Sequence, residues 1–231
     1  MTRLQLRGLT AGYAGAPAVR ELDLDVEAGE VLALVGANGA GKTTTLRAAS
    51  GLLGPMAGDV LIDGQSIGGL SPQAVAGRGV AHVPEGRGVF PSLTVAEHFR
   101  LVGRDGQEQA KTAYGLFPAL EPLAGRRAGV LSGGEQQMLS LARMLARRPQ
   151  VLLVDELSLG LAPVIVERLL PVIRSFSDES GCAVVLVEQH VGLALEIADR
   201  GCVLSRGRVN VIGTAAELRA RPEVLLSSYL G

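Results

Sequence analysis

The run Gly36-Ala37-Asn38-Gly39-Ala40-Gly41-Lys42-Thr43 constrains this chain more than any other. It satisfies G-x-x-x-x-G-K-[ST] and lies between an apolar strand-like stretch, Val31 to Val35, and a helix-like stretch, Thr43 to Ser50. In that setting glycines let consecutive backbone N–H groups turn inward around phosphates, and the helix N-terminus adds the positive end of its dipole. Lys42 can then reach the β- and γ-phosphates while the Thr43 hydroxyl serves as a Mg²⁺ ligand. The expected result is a site for ATP or GTP made by Gly36, Asn38, Gly39, Ala40, Gly41, Lys42, Thr43 and Thr44. Lys42 and Lys111 are the only lysines, every other basic residue apart from histidine being arginine, so a lysine in this loop is not a generic basic position.

Composition narrows the class. A chain of 231 residues can bury a substantial core in one compact unit, and 47% hydrophobic with 19% charged residues is globular composition. A formal net charge of -1 offers no general attraction to nucleic acid or anionic lipid, so no nucleic-acid partner is expected. No stretch approaches the roughly 18 apolar residues of a membrane span, and Met1-Thr2-Arg3-Leu4-Gln5 lacks a signal-peptide core. The expectation is a cytoplasmic protein that meets a membrane through a partner. Cys182 and Cys202 each flank an apolar β-like run, without C-x-x-C or metal-ligand spacing, and are read as buried structural thiols.

Periodicity separates two kinds of strand. Arg3-Leu4-Gln5-Leu6 and Leu22-Asp23-Leu24-Asp25-Val26 alternate polar with apolar residues and predict half-buried antiparallel strands, joined in one layer by Val60 to Gly64. Val31 to Val35, Val151 to Val154 and Ala183 to Val187 are continuous β-branched runs, as expected of parallel strands covered on both faces. Helical patterns follow each of them, which makes the core α/β. From Phe90 to Arg148 strand signals vanish, and helices are predicted over Ser92 to Val102, Gln107 to Phe117 and Glu135 to Arg148. The chain therefore divides into a core, 1–89 with 149–231, and an inserted helical lobe, 90–148. After His190 come a helix over Val191 to Ala198, a hairpin turning at Arg206-Gly207, and a helix opened by the capping box Thr214-Ala215-Ala216-Glu217.

Two further motifs carry chemistry. Val151-Leu152-Leu153-Val154-Asp155-Glu156 is an apolar strand ending in two carboxylates; downstream of a phosphate loop, Asp155 is the metal residue and Glu156 the general base. Leu131-Ser132-Gly133-Gly134-Glu135-Gln136-Gln137 starts a helix, with Ser132 and Glu135 at capping-box spacing and an apolar stripe of Met138, Leu141, Ala142 and Leu145 behind them. A capping box does not explain Gly133-Gly134 in the first turn, where glycine is useful only if another group approaches the backbone closely. The bare amides there form a second anion site.

With these motifs the chain resembles the ATP-binding cassette family, whose signature LSGGEQQ stands unchanged at Leu131 to Gln137, and the resemblance spans almost the whole sequence. It implies a phosphate-loop NTPase (RecA-like) fold with a mostly parallel sheet, an antiparallel β layer and a helical subdomain. It also implies ATP and Mg²⁺ as ligands, and head-to-tail pairing in which Ser132, Gly133, Gly134 and Glu135 of one cassette close over the ATP of another. Residue by residue, Tyr13 matches the aromatic that stacks on adenine, and His190 matches the switch histidine that contacts the γ-phosphate and the base. Glu85 stands where most cassettes carry a glutamine that reaches Mg²⁺ and the attacking water; a carboxylate is also a hard oxygen ligand.

The segment Val83-Pro84-Glu85-Gly86-Arg87-Gly88-Val89-Phe90-Pro91-Ser92-Leu93-Thr94-Val95 resembles the smaller ATP-binding subunit of branched-chain amino-acid importers. Ser158 to Pro163 and the ending Tyr229-Leu230-Gly231 point the same way. Leu157 in place of a proline, Gly88 in place of a basic residue, and His190 where close members carry asparagine depart from that pattern. The resemblance implies a peripheral protein on the cytoplasmic face of the membrane. Its partners would be a second cassette, identical or related, integral permease subunits and, indirectly, a solute-binding protein. The segment from Glu85 to Thr94 would relay motion to the helical lobe. Urea or short-chain amide import and lipopolysaccharide-type export use ATPases of similar pattern. A chromosome-maintenance ATPase would need long heptad arms that this insert lacks, and a non-hydrolysing regulator would be expected to lose Glu156 or His190.

Overall fold

In the computed structural model, residues 1–101, 105–221, 223 and 225 are described. The chain opens with β1 (Thr2–Tyr13) and β2 (Ala16–Glu27), followed by β3 (Val31–Val35) and α1 (Lys42–Ala49). Next come β4 (Ala57–Ile62), the short β5 (Gln65–Ser66), α2 (Pro72–Gly77) and β6 (Val80–Val83). The helices α3 (Val95–Arg100), α4 (Gly106–Leu116) and α5 (Gly133–Leu145) succeed them with 3-10 turns between, and β7 (Val151–Asp155), α6 (Pro163–Ser180) and β8 (Ala183–Val187) return to the sheet. The chain then runs through α7 (Val191–Ile197), β9 (Arg200–Ser205), β10 (Arg208–Thr214) and α8 (Ala215–Ala220).

Two sheets result. One is antiparallel, in the order β2-β1-β4-β5; the other has the order β10-β9-β3-β8-β7-β6 and is parallel apart from the edge hairpin that carries β10. β3, β7 and β8 are buried at every position. Their side chains alternate between two cores, as the strand period of two requires. Val31, Ala33, Val35, Leu152, Val154, Val184 and Leu186 pack with Leu139, Leu141, Leu170 and Ile173 of α5 and α6. Leu32, Leu34, Val151, Leu153, Val185 and Val187 pack with Leu4, Leu6, Leu24 and Val60 of the antiparallel layer. The alternating strands predicted from sequence are thus the outer wall of the second core. Both cysteines are buried and free, and burial pushes their thiols up to about 12.

Differences from the sequence reading are local. The strand β6, just before Glu85, was not anticipated; its four residues carry His82 among apolar neighbours and pair in parallel with β7. The helix expected from Ser92 starts at Val95, because Thr94 and Glu97 form a capping box in which Thr94 N–H donates to Glu97 Oε2 at 2.7 Å and Glu97 N–H donates to Thr94 Oγ1 at 3.2 Å. Its expected last residue, Val102, lies outside the described residues, as does the ending Tyr229-Leu230-Gly231. The helix expected from Glu135 starts at Gly133, with Ser132 as its cap, and ends at Leu145 rather than Arg148.

The helices between β6 and β7 enclose Phe99, Ala113, Leu120 and Leu139, all inaccessible to solvent, with the Phe99 and Tyr114 rings edge-on at 5.7 Å. The segment leading into them is tied down at several points. Buried His98 accepts the Phe90 N–H at Nε2 (2.9 Å) and faces the Thr94 carbonyl with Nδ1 (2.7 Å), so the neutral ring with its proton on Nδ1 satisfies both, and burial lowers its pKa. Arg143 of α5 donates to the Gly88 carbonyl at 2.9 Å and lies 5.5 Å from the Phe90 ring centre.

Candidate nucleotide-binding and catalytic site

The phosphate loop emerges from the end of β3 and enters α1 at Gly41, whose φ of 106° no L-residue adopts readily. A Cβ there would lie 2.9 Å from both the Ala18 carbonyl oxygen and Val19 Cγ2. No side chain caps α1, so its first amides are left for an anion. Gly41→Ala is expected to destabilise the chain by about 2 kcal/mol or more and to remove nucleotide binding. Urea unfolding and titration with a fluorescent ATP analogue check this; unchanged affinity would show that the loop accommodates a methyl group.

Asn38, Gly39, Gly41, Lys42, Thr43 and Thr44 line one wall of a cleft, and Glu85, Glu156 and Gln189 line the other. Lys42 Nζ donates to the Gly36 and Ala37 carbonyls at 2.9 and 3.1 Å. Burial lowers the lysine pKa, while Glu156 and Asp155 favour its charge. Gly36 and Ala40 shape the loop rather than face the cleft: Gly36 accepts from Lys42, and Ala40 packs its methyl into the core beside Leu46.

Three carboxylates act on one another here: Glu85 and Glu156 line this cleft, and Asp155 lines the hollow beside it. Asp155 is the last residue of β7 and 2% exposed; it accepts from Thr43 Oγ1 at 3.2 Å. Burial pushes its carboxyl up to about 6, opposed by the Thr43 hydrogen bond and reinforced by the charges of Glu156 and Glu85. Glu156 has a φ of 46°, left-handed and strained for a glutamate, and its N–H donates to the Val187 carbonyl at 3.0 Å. Leu157, in place of the expected proline, is 1% exposed within the core on the α5 and α6 side of the sheet. Excess negative charge on one wall suits a divalent cation between carboxylates and phosphates. Among the described residues no group of three or more His, Cys, Asp or Glu is placed to hold a metal. The Thr43 and Asp155 oxygens therefore fit an ion such as Mg²⁺, which keeps waters and shares phosphate ligands, rather than one held in an all-protein cage.

Tyr13 and His190 stand apart from this cleft. Tyr13 is exposed and its hydroxyl accepts from Arg47 at 3.1 Å; it lines an adjoining hollow with Arg47, Leu52, Leu53, His82, Glu85 and Asp155. His190 is the exposed residue preceding α7 and its charge acts on Glu188. Gln189, which was not singled out from sequence, donates from Nε2 to Glu156 Oε2 at 2.8 Å. His190, expected from the resemblance to contact the γ-phosphate and the base, does not line the phosphate cleft in this structure. No local pattern in the sequence marks Gln189, because its contact with Glu156 joins residues 33 apart.

Ser132, Gly133, Gly134 and Glu135 do not line the phosphate cleft of their own chain. Ser132 N–H donates to Glu135 Oε2 at 2.7 Å and Glu135 N–H to Ser132 Oγ at 3.3 Å, which completes the capping box. The glycine pair has a packing cause. A Cβ on Gly133 would be 2.9 Å from Arg87 Nη2, and one on Gly134 would be 3.1 Å from Ile165 Cγ2. Arg87, another residue not singled out from sequence, donates to Gln136 Oε1 at 2.8 Å and so ties the segment after Glu85 to the signature helix.

A phosphate loop at the end of a central parallel strand, faced by strand-end acids, defines a nucleotide triphosphatase. Residues 19–158 match the family model described as ABC transporter, and the chain belongs to that family of ATPases. It is 40% identical over 224 residues, 95% of each chain, to the high-affinity branched-chain amino acid transport ATP-binding protein BraG of Pseudomonas aeruginosa. It is 36% identical, over 91% of each chain, to the probable branched-chain amino acid transport ATP-binding protein LivF of Archaeoglobus fulgidus. Among solved structures, the ATP-binding subunit of an ABC transporter superposes with a TM-score of 0.84 at 27% identity, over 98% of this chain and 96% of that one.

Proposed function

We propose that this ATPase energises the import of branched-chain amino acids, working as one of two cassettes on the cytoplasmic face of a membrane permease fed by a solute-binding protein. What carries the substrate class is the likeness along nearly the full chain to proteins named for that transport. No helix among the described residues is long and apolar enough to cross a membrane, in keeping with attachment through permease subunits. Deleting the gene in its host should abolish high-affinity uptake of labelled leucine and isoleucine and spare urea uptake. The reverse result would assign the chain to amide import.

In this reading Lys42 and the loop amides hold the β- and γ-phosphates, Tyr13 offers its exposed face to adenine, and Thr43, Asp155 and Glu85 supply hard oxygens for Mg²⁺. A Mg²⁺ held by these oxygens would supply positive charge to offset that of the phosphates and the carboxylates. Glu156 takes the proton of the attacking water. The segment after Glu85 is the relay to the helical lobe, 90–148, supported by the Arg87 to Gln136 and Arg143 to Gly88 hydrogen bonds.

Separation of the signature from its own phosphate cleft supports a site shared between chains. Ser132→Arg is expected to lower turnover about 100-fold while ATP affinity of the isolated chain stays within about twofold. Mixing Lys42→Ala with Ser132→Arg chains tests sharing in a homodimer. Equal loss of ATP affinity in both isolated variants would place the signature beside its own nucleotide.

A further inference from the structure

We propose that Glu188 is a positioning residue for hydrolysis: its buried carboxylate clamps Ser158 and so fixes the loop that begins with Glu156. The inference rests on the reading of Glu156 as the general base. Glu188 is 0% exposed and Ser158 6% exposed. Ser158 N–H donates to Glu188 Oε1 at 3.0 Å and Ser158 Oγ donates to Oε2 at 2.5 Å, so one residue engages both carboxylate oxygens. A buried carboxylate is costly unless paired, and none of the ion pairs among the described residues includes Glu188. Burial raises its pKa, against the two hydrogen bonds and the charge of His190. An apolar side chain just past β8 would serve the core better, so the acid is explained by what it holds in place.

What it holds is a backbone that would not keep its shape alone. Glu156 has a φ of 46°, a left-handed conformation that costs free energy at a glutamate and persists only where the surrounding structure over-determines it. Three ties join residues 156–158 to 187–188: the Glu156 N–H to the Val187 carbonyl at 3.0 Å, and the two hydrogen bonds from Ser158 to Glu188. Beyond them the loop folds on itself, with Leu159 N–H donating to the Glu156 carbonyl at 3.2 Å and Leu161 N–H to the Ser158 carbonyl at 3.0 Å. Glu156 and Leu159 both line the phosphate cleft, and Ser158 is the clamped residue between them. Releasing Ser158 lets this segment relax away from its strained conformation, which takes the Glu156 carboxylate out of its fixed place opposite the phosphate loop.

The test uses the full chain and compares Glu188→Ala, Glu188→Gln, Ser158→Ala and the Glu188→Ala/Ser158→Ala double variant, each checked for folding by circular dichroism, with kcat and ATP affinity measured. Glu188→Ala is expected to lower kcat at least about tenfold with ATP affinity within about twofold, because the phosphate loop is untouched. Ser158→Ala removes one of the two hydrogen bonds and should lower kcat about three- to tenfold. The double variant should be no worse than Glu188→Ala, since the two side chains act as a unit. Glu188→Gln should retain most of the parental turnover: its amide oxygen can accept from the Ser158 N–H and its amide nitrogen can donate to Ser158 Oγ, which keeps both contacts. An acid that only holds the fold together would lower kcat and ATP affinity in step. That result, parental kcat in Glu188→Ala or Ser158→Ala, additive losses in the double variant, or Glu188→Gln as damaged as Glu188→Ala would each overturn the proposal while Glu156→Gln remains inactive. Where Glu188→Ala does not fold, Ser158→Ala carries the test alone. Full turnover by Glu156→Gln would overturn the base assignment and this inference together.

Discussion

Glu156→Gln is expected to lower ATP turnover by about 10²-fold or more while ATP affinity stays near the parent value. The amide keeps the shape of the carboxylate but cannot accept a proton from water. The φ of 46° at this residue and the hydrogen bond from its N–H to the Val187 carbonyl are backbone features that the substitution leaves in place. Binding and chemistry should therefore separate. With hydrolysis blocked, the ATP-bound chain should accumulate as a dimer detectable by size-exclusion chromatography with light scattering. Turnover within about tenfold of the parent would remove Glu156 from the base role and direct attention to Glu85, which lines the same cleft.

Asp155→Asn is expected to move activity and stability in opposite directions. In the folded chain burial pushes the Asp155 carboxyl up to about 6, above its ordinary value of 3.8. Between those values the folded form holds a proton that the unfolded chain has lost, so stability falls as pH rises through the window, and the whole cost is in place above it. A displacement of that size corresponds to about 3 kcal/mol at neutral pH. Asparagine removes the buried charge and retains an oxygen to accept from Thr43 Oγ1, now 3.2 Å from Asp155 Oδ1. In chelator and without nucleotide, the variant should be more stable than the parent by about 1–3 kcal/mol at pH 7.5, with the gap closing toward pH 4. With Mg²⁺ and ATP its turnover should fall by about 100-fold, because a hard anionic ligand has gone. Urea unfolding across pH and a phosphate-release assay check both halves. A destabilised variant would mean that Asp155 is held ionised by a partner, and retained turnover would remove it from metal binding.

Local sequence carries much of this architecture because the relevant signals are short in range. The unbroken run Val31 to Val35 can be covered only on both faces. The Thr94/Glu97, Ser132/Glu135 and Thr214/Glu217 pairs close as capping boxes wherever those helices lie. The phosphate loop, the acids at the end of β7 and the signature each sit within a few residues whose chemistry is legible without the rest of the chain. The strand β6 was not legible in the same way: only four residues long, with a histidine in the middle, it is a strand because β7 offers a parallel edge for it.

By itself, then, the sequence determined the α/β class, the two kinds of strand and the nucleotide chemistry, since periodicity, glycine placement and strand-end acids act over one turn or one strand. What only the tertiary structure decided is which neighbours face one another. Burial of Asp155 at the end of β7, between β8 and β6, raises its pKa. The approach of Arg87 and Ile165 leaves little room for a side chain at Gly133 and Gly134. Ser158 meets the buried Glu188, and Gln189 meets Glu156, across two segments that lie far apart in sequence. Contacts of this kind join segments about 30 residues apart, which no local pattern records.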